Sequence, residues 1–214
     1  METLESLHAT EHIGRKGTNK DSVTVMGTKG EEKRQHIIDA ANALFYHKGF
    51  ASTSFADIAD DAGIPKGNFY FYFRTKEALL QAVVDERLKR MRALMIGWHE
   101  EFKDPRQRLH RIADIPSADK CEITKFGCPM GTLSAELGKQ DTANHNFTVA
   151  IFDQVLAEAE ICLTEMGRPK ADAKRLARHL LVRLQGAATM AHSYNDESWI
   201  VNESQAVHAW IDSL

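Results

Sequence analysis

The sequence predicts an all-α protein. Apolar residues recur at the three- and four-residue spacing of a helix face through most of the 214-residue chain. No run of alternating β-branched residues is long enough for a convincing strand. Hydrophobic residues make up 43% of the chain and charged residues 27%, which is typical of a globular protein and excludes a collagen-like or disordered one.

Three further features limit the class of protein. Three cysteines cannot form an even disulfide framework, which favours a reduced, cytoplasmic protein. No apolar run approaches the roughly 20 residues of a membrane span, and the polar N-terminus is unlike a secretory signal, so we predict no membrane segment. The net charge of −3 excludes a basic footprint over the whole chain, but it allows a few cations on one face.

The chain divides into three predicted parts. Residues 1–30 hold four glycines and no aromatic residue, so we predict a flexible N-terminal arm. This arm is either an extension with little role or a flexible contact. Residues 31–76 carry the pattern of a helix-turn-helix, and residues 77–214 are predicted to form a larger helical domain.

Local signals delimit the first two helices. The first begins at Glu31, and Gly49 closes it. One face of this helix carries an apolar stripe: Ile37, Ala40, Ala41, Leu44 and Phe45. The segment from Ser54 to Asp57 has the spacing of a capping box, which predicts a second, short helix that ends at Gly63.

The third helix, from Pro65 through Phe73, carries an unbroken run of aromatic residues. Side chains on a helix diverge by about 100° per residue, so these rings cannot all face one core. Phe69 and Phe73 are four residues apart and are predicted to point inward. The residues left on or beside the open side are Lys66, Asn68, Tyr70 and Tyr72. A DNA groove suits such a set, because Lys neutralises phosphate, Asn bonds adenine and Tyr donates to phosphate.

The rest of the chain is also predicted to be helical. The further helices are predicted over 75–102, 105–115, 129–139, 142–166, 171–193 and 197–212, with a loop over 116–127.

The segment from Gly49 to Leu80 resembles the DNA-binding region of the TetR family of transcriptional regulators. It reads GFASTSFADIADDAGIPKGNFYFYFRTKEALL. The sequence elements of the family stand here in order and at matching spacing: Thr-Ser, Ile-Ala, Ala-Gly, Lys-Gly, the aromatic residues and Lys-Glu-x-Leu. Pro65 and Asn68 stand where Ser or Thr is common, and Phe71 stands where a polar or basic residue is frequent. These departures affect which operator sequence is recognised, not the way in which DNA is bound.

The resemblance implies an N-terminal three-helix DNA-binding domain and a larger C-terminal ligand-binding and dimerisation domain. The residues implied to contact double-stranded operator DNA are Thr53, Lys66, Gly67, Asn68, Tyr70, Tyr72 and Lys76. The resemblance also implies a homodimer in which the last two helices of each subunit pair. An apolar stripe suits this pairing, unless it is buried within one subunit: Leu176, Leu180, Leu181, Leu184, Ala187 and Ala188. Trp199, Val207 and Trp210 are candidate anchors on the final helix.

By the same resemblance, the middle helices enclose a pocket for a small-molecule effector that releases a repressor from its operator. The candidate wall residues are Met91, Met95, Trp98, Cys128, Met130, Phe147 and Ile151. A Met and aromatic lining suits an apolar molecule, although the same spacing also suits a plain core.

Cys128 allows a different trigger. The segment from Phe126 to Leu137 resembles a subset of the family in which Gly-Cys opens the sixth helix, and some members of that subset respond to electrophiles or oxidants. Pro129 places Cys128 at a helix N-terminus, where the dipole favours a reactive thiolate. Cys128 therefore has two possible roles. It is either the reactive thiol of a repressor that senses electrophiles or oxidants, or a small residue packed at the start of a helix.

Other classes of protein remain as rivals. A helical sensor could act through protein contacts without binding DNA. An enzyme is not expected, because the chain has no Gly-rich phosphate loop, no Gly-x-Ser-x-Gly and no His-Glu-x-x-His. The scattered histidines and the absence of a Cys-x-x-Cys pair predict no metal, and no motif implies a cofactor.

Overall fold

The computed structural model describes residues 28–139 and 142–214, with side chains over 29–139 and 148–214. The predicted N-terminal arm therefore lies almost wholly outside the described residues. Its last three residues, 28–30, belong to the first helix, which begins earlier than the predicted start at Glu31.

The all-α prediction is confirmed, since the described residues form helices and no strand. The helices in the first half are α1 (Thr28–His47), α2 (Phe55–Asp61), α3 (Lys66–Tyr72), α4 (Lys76–Glu101) and α5 (Pro105–Ala118). They are followed by α6 (Lys120–Phe126), α7 (Pro129–Leu137), α8 (Thr142–Glu165), α9 (Lys170–Tyr194) and α10 (Ser198–Ser213). None of these helices is long and apolar enough to cross a membrane, over the residues that the structure describes.

The prediction of a loop over 116–127 is wrong, because most of that range is helical. Pro116 is buried in the last turn of α5. A proline there removes one backbone hydrogen bond but does not stop a helix that ends two residues later. Asp119 separates α5 from α6, and Cys128 therefore precedes the seventh helix of this chain rather than the sixth.

Two large hydrophobic clusters organise the chain, and α4 contributes to both. The first cluster joins α1, α2 and α3, here called the head, to α7 and to the first half of α4, where Leu79 and Leu80 are fully buried. The second cluster joins the far half of α4, through Met95 and Trp98, to α5, α8, α9 and α10. Helix α4 is thus a continuous connection between the head and the larger domain.

The apolar stripe of α9 is buried within the single chain. Leu176, Leu180 and Leu184 belong to the second cluster, and Ala187 and Ala188 pack in a third, smaller cluster beside α10. Five of the six stripe residues are thus buried within one subunit, which favours that alternative over their pairing of subunits, and the sixth, Leu181, is partly buried. The physical reason is that α8 and α10 both pack against this face of α9.

Candidate DNA-binding surface and ligand cavity

Helices α2 and α3 form a tightly held helix-turn-helix. The Ser54 hydroxyl accepts a hydrogen bond from the Asp57 backbone N–H at 3.2 Å, and the Asp57 carboxylate accepts from the Ser54 N–H at 2.8 Å. These bonds complete the predicted capping box. The hydrogen bonds that the Ser54 hydroxyl, at 2.6 Å, and the Ser54 N–H donate to the Asp57 carboxylate hold the pKa of Asp57 below its usual value. Gly63 has φ +64° in the turn, a conformation that L side chains rarely adopt. The capping box thus holds the start of α2, and Gly63 allows the tight turn from α2 toward α3.

Helix α3 has one anchored face and one open face. The Phe69 side chain is buried, with its ring centroid 4.7 Å from that of Phe55. Phe73, which follows α3, is also buried, as predicted for both rings. The exposed residues of α3 are Lys66, Gly67, Asn68, Tyr70 and Phe71, of which Tyr70 also places its ring 5.6 Å from that of Phe55 between centroids. We call this set the α3 face.

Phe71 is the member of the α3 face that the sequence reasoning did not select. The residue is 68% exposed, against 58% for Tyr70. Burying such a ring normally stabilises a protein, so an exposed ring beside Tyr70 is a candidate contact. The divergence of consecutive side chains on a helix was the signal that could have identified it.

Two other predicted contact residues are less accessible. Tyr72 is partly buried and packs against the first cluster. The Lys76 ammonium lies 4.4 Å from the centre of the Phe50 ring and 3.4 Å from the Ala51 carbonyl oxygen, and burial lowers the pKa of Lys76. Lys76 thus sits against the start of the helix-turn-helix while remaining partly open.

Thr53 is buried, which argues against the direct DNA contact predicted for it. Only 2% of the residue is exposed. Its hydroxyl donates to the Gly49 carbonyl oxygen at 2.8 Å and lies 3.3 Å from the Leu44 carbonyl oxygen. The side chain holds the connection between α1 and α2 and has no free face toward solvent.

A cavity of about 360 Å³ lies between the head and the larger domain. Of the predicted wall residues, Met91, Cys128, Met130 and Ile151 line it. The assignment of Met95 and Trp98 is corrected, because both pack in the second hydrophobic cluster and neither lines the cavity. The side chain of Phe147 lies outside the described residues.

The cavity also has a polar end, which the sequence reasoning missed. Its polar lining residues are Asn42, Tyr46, Arg87, Asp119 and Gln185. The Arg87 Nε donates to the Asn42 Oδ1 at 2.6 Å, and Nη1 donates to the Pro129 carbonyl oxygen at 3.0 Å. Arg87 precedes Met91 by one helical turn, so the spacing that selected Met91 could also have selected Arg87.

Tyr46 borders the same polar end. Its hydroxyl donates to the Gly127 carbonyl oxygen at 2.8 Å. Burial, followed by the nearby Glu122 carboxylate, raises the pKa of Tyr46 above its ordinary value. Tyr46 therefore stays neutral at physiological pH and acts as a hydrogen-bonding wall.

Comparisons with known proteins agree with this geometry. The family model described as bacterial regulatory proteins, tetR family, matches residues 37–83. The model for the C-terminal domain of LmrA/YxaF-like transcriptional regulators matches residues 108–202. The first match covers the helix-turn-helix, and the second covers most of the larger domain.

Individual relatives extend over different shares of the chain. An uncharacterised HTH-type transcriptional regulator in the lacX 3' region of Lactococcus lactis subsp. lactis is 33% identical over 110 residues, which cover 50% of this chain and 56% of that protein. The HTH-type transcriptional repressor DhaR of Mycobacterium sp. (strain GP1) is 27% identical over 160 residues, or 72% of this chain and 79% of DhaR. A crystal structure of a TetR-family regulator from Cytophaga hutchinsonii has the same fold, with a TM-score of 0.74 at 17% identity over 88% of this chain and 98% of that chain.

A helix-turn-helix head on a larger helical domain, with a cavity between the two, defines the class of helical DNA-binding regulators. The chain belongs to the TetR family of bacterial transcriptional regulators. Membership of the subset in which Gly-Cys opens a helix stays a prediction.

Proposed function

We propose that this protein is a ligand-responsive repressor that binds a duplex operator as a homodimer. The α3 face carries the proposal, because a short helix anchored by Phe69 exposes a cation, an amide and two aromatic rings together. Its proposed partner is chromosomal DNA, so we place the protein in the cytoplasm. The relative DhaR is named a transcriptional repressor, which supports repression rather than activation.

Each member of the α3 face has a chemical use in a major groove. The exposed Lys66 ammonium lies 3.9 Å from the exposed Asp60 carboxylate, and a phosphate can replace this weak surface pair. Asn68 can bond adenine, and the Tyr70 hydroxyl can donate to phosphate. Gly67 leaves open space where a side chain would project, so the backbone can approach the duplex.

The remaining predicted residues support the α3 face from its edges. Tyr72 and Lys76 are proposed to donate to phosphate where α4 begins. Thr53 is proposed to position the helix-turn-helix through its buried hydroxyl rather than to touch DNA.

The proposed dimer uses the open sides of α9 and α10. Val182, Gly186, Met190 and Tyr194 recur every four residues along α9, and the Tyr194 ring stacks on Trp199 of α10 at 5.4 Å between centroids. Val182 and Tyr194 are largely exposed, and a Cβ at Gly186 would meet open space. A two-fold pair through this surface presents two α3 faces, which suits half-sites about 34–36 Å apart.

Effector binding is proposed to act through α4. This helix lines the cavity with Arg87 and Met91 and also packs in the core of the head through Leu79 and Leu80. An effector that prefers one placement of α4 shifts the population toward it. The separation of the two α3 faces then no longer matches the half-sites.

A salt-titrated binding assay tests the proposed function. The purified protein is titrated against the DNA upstream of its own gene, with unrelated DNA of equal length as the control. We expect a saturable complex with two chains per site by sedimentation, and a binding constant whose logarithm falls linearly with the logarithm of salt concentration. If binding to the upstream DNA is no tighter than to the control at every salt concentration, the operator proposal fails and a sensor that acts through protein contacts is favoured.

A further inference from the structure

We propose that the effector of this regulator is an amphipathic acid, whose carboxylate binds Arg87 and whose apolar body fills the rest of the 360 Å³ cavity. The inference rests on the proposed function, because it names the chemical class of ligand that the regulatory cavity takes. Three observations carry it: an apolar wall, a half-buried cation with neutral partners, and a direct link from that cation to the head.

The apolar wall makes up most of the cavity. Its members come from α4, α5, α7, α8 and α9: Met91, Ile115, Pro116, Met130, Ile151, Phe152, Val155, Leu181 and Leu184. A cavity of this size lies at the lower end of the range for small organic ligands, about 300–1,000 Å³. The wall therefore suits a short hydrocarbon chain or a small ring system.

Arg87 is a cation that lacks an ionic partner in the structure. Among the described side chains, no carboxylate lies within 4.0 Å of its guanidinium, and its acceptors are the Asn42 amide oxygen, two backbone carbonyls and the Met130 sulfur. Arg90, one turn further along α4, is paired with both Asp39 and Glu86. Charged side chains withdrawn from solvent are normally paired, so Arg87 presents an unbalanced charge to the cavity.

The free part of the guanidinium is suited to a carboxylate. Nη2 has a single long contact of 3.5 Å with the Asn42 carbonyl oxygen, whereas Nε and Nη1 make shorter bonds. The flat guanidinium can donate two N–H bonds to one carboxylate. Burial lowers the pKa of Arg87 to about 10, so the group remains a cation at neutral pH.

The acid that already lines the cavity does not neutralise Arg87. Asp119 lies at the junction of α5 and α6, and its carboxylate is not within 4.0 Å of the Arg87 guanidinium. The charge of Arg87 is therefore available to a ligand, and a single cation suits a singly charged acid.

Arg87 also connects the cavity to the head. Its side chain extends from α4 to Asn42 on α1 and to the carbonyl of Pro129 at the start of α7. A carboxylate that takes N–H groups of Arg87 competes with the Asn42 oxygen for them. Acid binding thus exchanges a contact that joins α4 to α1, and so the occupancy of the cavity is transmitted to the head.

Calorimetry with two matched eight-carbon probes tests the ligand class. Octanoate and octan-1-ol share their apolar chain and differ in the charge of the head group. We expect the full-length protein to bind octanoate at least about tenfold more tightly than octan-1-ol, because hydrogen bonds between charged groups are stronger than neutral ones. Octan-1-ol binding as tightly as octanoate, or no octanoate binding at millimolar concentration, would overturn the proposal.

Variants assign the preference to Arg87. In Arg87→Gln we expect the preference for octanoate to disappear while octan-1-ol binds as before, and in Arg87→Lys we expect part of the preference to remain. Arg90→Gln removes the same charge from the same helix outside the cavity, and we expect it to keep the full preference. A preference that survives Arg87→Gln contradicts the assignment. Circular dichroism and the melting temperature verify that each variant folds, and because DNA is absent, failure here differs from failure of the operator assay.

Discussion

The Phe69→Ala variant is expected to lose about 3–5 kcal/mol of unfolding free energy, the cost of deleting a fully buried phenylalanine ring. Phe69 is 1% exposed, and its ring packs against Phe55 in the cluster that holds the head together. Small domains are stable by only about 5–15 kcal/mol, so the loss removes a large share of the stability of the head. The measurement is urea denaturation followed by far-UV circular dichroism.

Phe71→Ala is the matched control for that loss. It removes the same ring two residues further along α3, where 68% of the residue is exposed. Surface substitutions usually change the unfolding free energy by no more than about 0.5 kcal/mol, and we expect Phe71→Ala to stay near this limit. Equal destabilisation by the two variants would mean that α3 does not have one buried and one open face.

The double variant Lys66→Ala, Tyr70→Ala is expected to weaken operator binding by about 10²- to 10³-fold. Each subunit loses two phosphate contacts, and a dimer therefore loses four, each with about 1 kcal/mol of net stabilisation. The slope of log binding constant against log salt should also become shallower, because Lys66 no longer displaces counterions. The measurement is the salt titration with the upstream DNA.

Lys89→Ala is the control for the double variant. Lys89 is an exposed lysine of α4 outside the helix-turn-helix, with its ammonium 3.6 Å from Glu86. We expect this variant to bind DNA as the unmodified protein does, and we expect the double variant to keep its unfolding free energy because both replaced side chains are exposed. Unchanged affinity in the folded double variant would contradict the role of the α3 face.

The sequence was sufficient where local chemistry decides the structure. The Ser54–Asp57 capping box and the turn at Gly63 depend on neighbouring residues alone, and both are present. The inward direction of Phe69 and Phe73 follows from helical spacing. The class of fold and the helix-turn-helix could therefore be predicted from the chain.

The errors arise where tertiary contacts decide the outcome. The sequence predicts a loop that begins at Pro116, but in the last turn of α5 a proline costs little and the Pro116 ring is buried. Helical spacing identified Met95 and Trp98 as an apolar face without showing whether a cavity or a core lies opposite. The sequence does not identify Arg87 as a cavity residue, because a charged residue in an apolar pattern usually lies at the surface. Only its hydrogen bonds to Asn42 and Pro129 show that its side chain turns inward.

Photocrosslinking from position 71 tests most directly whether the α3 face enters the duplex. Phe71 is replaced by p-benzoylphenylalanine, a residue of similar shape, and the protein is irradiated with its upstream DNA. Ile161, which is 45% exposed on α8 and lies outside the proposed dimer surface, carries the same probe in the control protein. We expect a covalent adduct with DNA from position 71 and none from position 161. The absence of an adduct from position 71 in the DNA-bound protein, or adducts from position 161 alone, would contradict binding through α3.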